Sequence, residues 1–263
     1  MIRIDDLSFA YHSSKVFDGL SFSLEDQPVT AILGLNGEGK TTFIKLLLGL
    51  LKPDKGSILI DGQNIDTLND QERSRLLSYV PQENDDSIIM SVSDFICMGG
   101  INRQDPFKGP DENDRKKALD ILKKLDALRL SDRRLETLSH GQRRLIYLAR
   151  AIFQDSGIMV LDEPVSSLDL IRQHGFLSLL REYTQKENRR VVMSIHDPSL
   201  AFEYADAFVF FKNQSSYDLL YRNDPSLKER FSDDVSALYD SKIRCEYIGD
   251  HLYLKYGPDK RLQ

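Results

Sequence analysis

Only two cysteines occur in the 263 residues, Cys97 and Cys245, far apart and in no C-x-x-C pair. That arrangement predicts two buried thiols in a reducing compartment rather than a disulfide framework. No apolar run approaches the length of a membrane span, so transmembrane helices are excluded and any membrane role would come through a partner. The opening MIRIDDLSFAY has early acidic residues and no apolar h-region, and no secretory signal is expected. Internal repeats and low-complexity stretches are missing too, so each motif below occurs once. Positive charge is not in excess: Lys plus Arg is 35 against 41 for Asp plus Glu, a formal net charge of −6. An acidic chain is a poor partner for nucleic acid, because phosphate neutralisation needs clustered cations. The arginine pairs Arg133–Arg134, Arg143–Arg144 and Arg189–Arg190 read as solvated helix faces.

What is present is globular: 41% apolar and 29% charged residues, near the average for folded domains. At roughly 150 residues per domain the chain is one large or two small domains. Ile2, Ile4, Leu7 and Phe9, then Leu20, Phe22 and Leu24, alternate as strands do. Val29 to Leu33 is an apolar run that fits a buried strand, followed by a helix carrying Phe43, Ile44, Leu46, Leu47 and Leu48. Lys52 to Gly56 ends that helix with turn chemistry, and Ser57 to Asp61 and Leu77 to Val80 read as strands. From about Asn84 to Asp155 strand signals vanish. Ala118, Ile121, Leu122, Leu125 and Leu128, and later Leu145, Leu148, Ala149 and Ile152, recur at helical spacing, which predicts a helical insert. Strands return at Ile158 to Leu161, Val191 to Ile195 and Ala207 to Phe211 with helices between them, the pattern of a parallel sheet covered on both faces. From about Leu227 the reading is one or two short helices, then strands at Ile243 to Tyr247 and Leu252 to Tyr256.

Gly34-Leu35-Asn36-Gly37-Glu38-Gly39-Lys40-Thr41 matches G-x-x-x-x-G-K-[ST] between a predicted strand and a predicted helix, the context this phosphate-binding loop requires. Glycines let the backbone curl so that N–H groups point at phosphate oxygens. The helix N-terminus, at Thr41 and Thr42, adds a partial positive charge. Lys40 supplies a full charge to the β- and γ-phosphates, and the Thr41 hydroxyl can ligate Mg²⁺.

Ile158-Met159-Val160-Leu161 runs into Asp162-Glu163. A buried strand ending in carboxylates delivers them to the sheet edge where ligands bind in such folds. Asp162 is then a Mg²⁺ ligand through water, and Glu163 the base that faces the attacking water.

Together these motifs resemble the ATP-binding subunit of an ATP-binding-cassette (ABC) transporter. Leu138-Ser139-His140-Gly141-Gln142 is similar to that family's LSGGQ signature, and Gln82 in Tyr79-Val80-Pro81-Gln82 to its Q-loop. Ser167-Leu168-Asp169 resembles the D-loop, His196 the switch histidine, and Tyr11 the aromatic that stacks on adenine. The resemblance spans about residues 1–212. It implies a P-loop NTPase fold of the α/β class: a RecA-like mixed sheet core, an N-terminal antiparallel β subdomain and a helical insert. The chain is expected to be a single ABC ATPase domain over 1–263, with core 1–83 and 156–226, insert 84–155 and C-terminal extension 227–263. Also implied are ATP and Mg²⁺, catalytic roles for Glu163, His196, Gln82 and Asp169, and nucleotide contacts from Tyr11, residues 34–42, Ser139, Gly141 and Gln142. Thr41, Gln82 and Asp162 would hold the metal. The family's signature loop faces the P-loop of another cassette, so two copies would pair head to tail around two ATPs and hydrolysis would reopen them.

Ser91 to Gly100, Leu168-Asp169-Leu170 with Gln173, and His196-Asp197-Pro198-Ser199-Leu200-Ala201 resemble the corresponding stretches of iron-siderophore, haem, vitamin B12 and molybdate importers. The resemblance thus implies peripheral attachment at the cytoplasmic face of the membrane, through integral-membrane permease subunits served by a substrate-binding protein. The insert is expected to offer the permease a groove lined by Met90, Phe95, Ile96 and Met98. Three positions depart from the family pattern: Glu38 inside the P-loop, His140 in the signature and Val165 after Glu163-Pro164. The alternatives are a soluble ABC ATPase of translation, repair or cofactor assembly, and an exporter subunit. One cassette, no heptad run between Thr41 and Ser139 and no fused membrane spans speak against them.

Overall fold

The inward-facing residues of the first strand change phase: Ile2 and Ile4 occupy even positions, Leu7 and Phe9 odd ones, and all four are buried. An unbroken strand would put one of these pairs in water. In the computed structural model, which describes residues 1–82, 88–101, 109–213, 215–240 and 242–257, the phase changes at an irregularity in the ladder after Ile4, with Asp6 at φ 50°. The bulge is matched across the sheet by Gly56 (φ 80°), where a Cβ would lie 2.3 Å from the carbonyl oxygens of both Asp5 and Asp6. Only glycine fits there.

The chain runs β1 (Ile2–Tyr11), β2 (Ser14–Leu24), β3 (Val29–Leu33), α1 (Lys40–Leu47), β4 (Lys55–Ile60) and β5 (Gln63–Asn64). Then come α2 (Asp70–Leu76), β6 (Leu77–Val80), α3 (Val92–Cys97), α4 (Glu112–Lys124), α5 (His140–Gln154), β7 (Ile158–Leu161) and α6 (Leu170–Glu187). The last part holds β8 (Arg190–Ser194), α7 (Pro198–Tyr204), β9 (Ala207–Phe211), β10 (Tyr217–Tyr221), α8 (Leu227–Leu238), β11 (Ile243–Ile248) and β12 (His251–Tyr256). Two compact units result, Met1–Asp66 with Val192–Gln263, and Thr67–Val191.

In the first unit an antiparallel sheet of order β2-β1-β4-β5 accompanies strands in the order β10-β9-β3-β8. β3 and β9 are parallel, with Thr30 opposite Ala207 and Leu33 opposite Phe210. β10, which the sequence reading missed, adds antiparallel to β9 and makes the sheet mixed. An aromatic cluster holds α1 in place: Phe43 lies 5.2 Å from Phe211, 5.9 Å from Phe22 and 6.3 Å from Phe17, centroid to centroid. Helix α8 and the β11–β12 hairpin follow the anticipated order.

In the second unit β6 and β7 pair in parallel, Leu77 opposite Ile158 and Val80 opposite Leu161. Helices α3, α4 and α5 pack together, and no strand interrupts them among the described residues. Capping boxes start α2 (Asn69 with Glu72) and α4 (Asp111 with Asp114). The anticipated insert boundary at 84 and the end of the C-terminal extension, 258–263, lie outside the described residues.

Three expectations need correction. Arg143 and Arg144 are not on a solvated face; both are buried, on the inward stripe of α5. Phe95 and Ile96 are fully buried and cannot line an open groove, because Phe95 packs against Tyr147 (4.8 Å) and under Arg150 (5.1 Å). Cys97 is buried as anticipated but Cys245 is only partly so, on the face of β11 that packs against α8.

Candidate functional site

Strand β3 is buried along its whole length and ends at Leu33, just before Gly34. The loop that follows returns on itself, with Gly37 at φ 92° and Gly39 at φ 89°. Gly39 is the N-cap of α1, and a Cβ there would come within 2.7 Å of Val16 Cγ1 and 2.9 Å of Phe17 Cζ. No side chain caps α1 and no acidic residue stands in its first turn. The N–H groups of Lys40, Thr41 and Thr42 belong to that turn, where a helix has no carbonyl partners of its own and an anion is favoured. Lys40 is only 5% exposed, and its Nζ donates to Gly34 O (2.8 Å) and Leu35 O (3.0 Å), so the ammonium lies against the loop it serves. Leu35, Asn36 and Gly37 are exposed, while Glu38 and Thr41 are half-buried. Tyr11 closes β1 with 43% exposure, its ring held edge-on by Phe9 at 4.9 Å, and so offers an open aromatic face. His196, half-buried, follows β8.

The second unit carries the carboxylates. Asp162 is 1% exposed, and its N–H donates to Val80 O (2.9 Å). Glu163 takes φ 45°, a left-handed conformation that costs a non-glycine residue about 1 kcal/mol or more and is retained where the surroundings enforce it. Gln82 Nε2 donates to Glu163 Oε2 at 2.6 Å. Burial, and then the negative charge of Asp162, push the nearby Tyr79 hydroxyl up to about 12, so it stays protonated.

Arg144, 2% exposed, ties these pieces together. Its Nη2 donates to Gln82 O (2.6 Å) and Glu163 O (3.4 Å), and its Nη1 to Pro81 O. The sequence reading missed this residue. The available signal was its place on the buried stripe of α5 with Tyr147, Leu148 and Ala151, since a buried guanidinium must find acceptors.

Ser139 is the N-cap of α5. Its Oγ accepts from Gln142 N (3.4 Å), while Gln142 Oε1 accepts from Ser139 N (3.1 Å). Gln142 thus completes a capping box, a task the motif alone did not reveal. Ser139 and His140 are exposed. A Cβ on Gly141 would approach Leu168 Cδ2 to 3.3 Å. Asp169 caps α6, accepting from Arg172 N (3.0 Å) and pairing with Arg172 Nε (3.3 Å). The second unit therefore gathers Gln82, Asp162 and Glu163, and it also carries Ser139, Gly141, Gln142 and Asp169. Tyr11, residues 34–42 and His196 belong to the first.

The profile of the ABC transporter family matches residues 17–166. The chain belongs to the ABC transporter family. It is an ATP-binding-cassette ATPase with a P-loop NTPase fold. An ABC protein of Helicobacter pylori (strain J99), named as an iron chelatin transport ATP-binding protein, is 34% identical over 96% of this chain and 98% of its own. The siderophore transport system ATP-binding protein YusV of Bacillus subtilis is 32% identical over 82% and 78%. A solved metal-chelate type ABC transporter in an inward-facing conformation superposes with a TM-score of 0.80 at 29% identity, covering 99% of this chain and 98% of that one.

Mg²⁺ is general to ABC ATPases, and the candidate ligands suit it chemically. The Thr41 hydroxyl, Gln82 amide and Asp162 carboxylate are all oxygen donors, the set a hard cation takes. Because Gln82 uses Nε2 on Glu163, its amide oxygen is the end left for a cation. Among the described residues no three His, Cys, Asp or Glu side chains converge.

Proposed function

We propose that this chain is the ATP-hydrolysing subunit of an importer for an iron chelate or a similar metal complex. The observation that carries the catalytic part is the Gln82–Glu163 hydrogen bond of 2.6 Å, set on backbone that Arg144 holds from behind. The transported class is supported by the names of the relatives, by the nearly full-length match to the Helicobacter pylori protein and by the metal-chelate transporter with which the chain superposes.

Tyr11 stacks on the adenine, and the backbone of residues 34–42 with the Lys40 ammonium cradles the triphosphate. Thr41, Gln82 and Asp162 would hold Mg²⁺, which would supply positive charge against the triphosphate. Glu163 accepts the proton of the attacking water, and Gln82 orients the Glu163 carboxylate by its hydrogen bond. His196 donates toward the γ-phosphate. Ser139, Gly141 and Gln142 of a second copy close the far side, with Asp169 at the junction, so the ATP-bound state is a head-to-tail homodimer. The whole chain works as one ABC ATPase domain with the core, insert and C-terminal extension anticipated from its motifs.

Among the described residues no helix is long and apolar enough to cross a membrane, and attachment is through permease subunits at the cytoplasmic face. With Phe95 and Ile96 in the core, the permease contact falls to the exposed Ile89, Met98 and Ile101 and the half-buried Met90. A substrate-binding protein delivers the chelate from the other side. The test is uptake of a radiolabelled ferric chelate by vesicles containing the chain with metal-chelate permease subunits and a chelate-binding protein. ATP-dependent accumulation supports the reading; ATP hydrolysis without uptake of any metal chelate overturns the transport assignment.

A further inference from the structure

His196 stands on a short turn whose two ends are fixed. Upstream, Ile195 N donates to Ile32 O (3.1 Å) and joins the end of β8 to β3. Downstream, Asp197 caps α7, its Oδ1 accepting from Ser199 N (2.7 Å) and Leu200 N (3.3 Å). The C-terminal segment then packs against α7. Phe202 packs against Phe231 of α8 at 5.0 Å and against Tyr247 of β11 at 5.3 Å. Glu203 Oε2 lies 3.0 Å from His251 Nδ1 at the start of β12. One contact of this segment reaches the turn itself: Tyr239, the C-cap of α8, donates its hydroxyl to the backbone carbonyl of His196 at 3.3 Å.

We propose that the segment formed by α8, β11 and β12 is a positioning element for ATP hydrolysis, and that Tyr239 is the positioning residue through which it sets His196. The inference rests on the reading of His196 as the residue that donates toward the γ-phosphate.

Three features suit the tyrosine to that task. Its ring is rigid, so a hydroxyl on it fixes a carbonyl with little loss of side-chain freedom. Burial, and then the neighbouring Asp197 carboxylate, raise the Tyr239 hydroxyl above its ordinary value, so it remains a donor at neutral pH. Helix α8 is itself immobilised, because Phe231 is fully buried among Phe202, Phe208 and Phe210 at 5.0, 5.0 and 5.1 Å. The fixed position of α8 therefore sets that of the His196 carbonyl and, through Phe202, that of α7. The C-terminal segment thereby becomes part of the turnover machinery, although no phosphate-binding motif lies within it.

Tyr239→Phe keeps the ring and deletes only the donor. Steady-state ATPase of the full chain should show kcat lowered about 3- to 10-fold, the size of one lost hydrogen bond. KM for ATP should stay within about 2-fold, because nucleotide binding does not use this bond, and the melting temperature within about 2 °C. In a His196→Ala background the same substitution should change the residual turnover by less than about 1.5-fold, since residues acting as one unit are not additive. Unchanged kcat in Tyr239→Phe beside an impaired His196→Ala overturns this inference alone. Equal fold-losses in both backgrounds also overturn it, because they would mark a structural role independent of His196. Wild-type turnover in His196→Ala overturns the switch reading and this inference with it.

Discussion

Gln82 donates from Nε2 to Oε2 of Glu163 across 2.6 Å, although 81 positions separate the two residues. The bond aims a carboxylate that stands on left-handed backbone. Replacement of Glu163 by Gln keeps the shape and removes the base. Turnover should fall by about 10²- to 10⁴-fold. Binding of a fluorescent ATP analogue should persist, and ATP should hold the variant as a dimer on gel filtration. Phosphate release near the wild-type rate would remove Glu163 from the role of base.

Arg144 supplies the donors for three part-buried carbonyls, those of Pro81, Gln82 and Glu163. Arg144→Met fills similar space and donates nothing, so the unfolding free energy in urea should drop by about 1–3 kcal/mol. Turnover should fall about 10- to 100-fold as the Gln82–Glu163 pair loses its support. Arg144→Lys should not restore it, because one ammonium cannot span acceptors that the planar fork reaches together. Full activity in the lysine variant would mean that charge alone matters here.

Asp234 gives the fold a pH dependence of its own. Its buried carboxylate meets Lys212 Nζ at 2.8 Å, and the same ammonium pairs with Asp218. Burial is the largest influence on Asp234 and, opposed by Lys212, pushes it from 3.8 up to about 6. Asp218 is also partly buried, yet hydrogen bonds with Lys212 and Asp234, and the charge of Arg230, hold it below its ordinary value. Asp234 therefore keeps its proton in the fold more readily than in the unfolded chain. Its contribution to stability is complete below about pH 4 and is lost as pH rises through about 6. Asp234→Asn, neutral at every pH, should be more stable than the wild type at pH 8 by about 1–3 kcal/mol. The difference should close toward pH 4. Urea unfolding at the two pH values measures it, and a difference that does not change with pH would show that burial does not raise Asp234 above an ordinary carboxylate.

The sequence by itself determined whatever is contiguous. The P-loop, the Asp162-Glu163 strand end, the signature and the order of strands and helices are local patterns, because glycine conformations, helix caps and side-chain periodicity act over a few residues. Even the bulge in β1 is written in the shift of phase from Ile4 to Leu7. Tertiary structure alone decided what the inward stripes meet. Helical spacing places Arg144 on such a stripe, but its acceptors lie up to 63 positions away. Phe95 and Ile96 looked available until α5 covered them. The tie from Tyr239 to His196 crosses 43 positions and leaves no trace in either local pattern. Burial and hydrogen-bond satisfaction are properties of pairs, and the pairs exist only once the layers have packed.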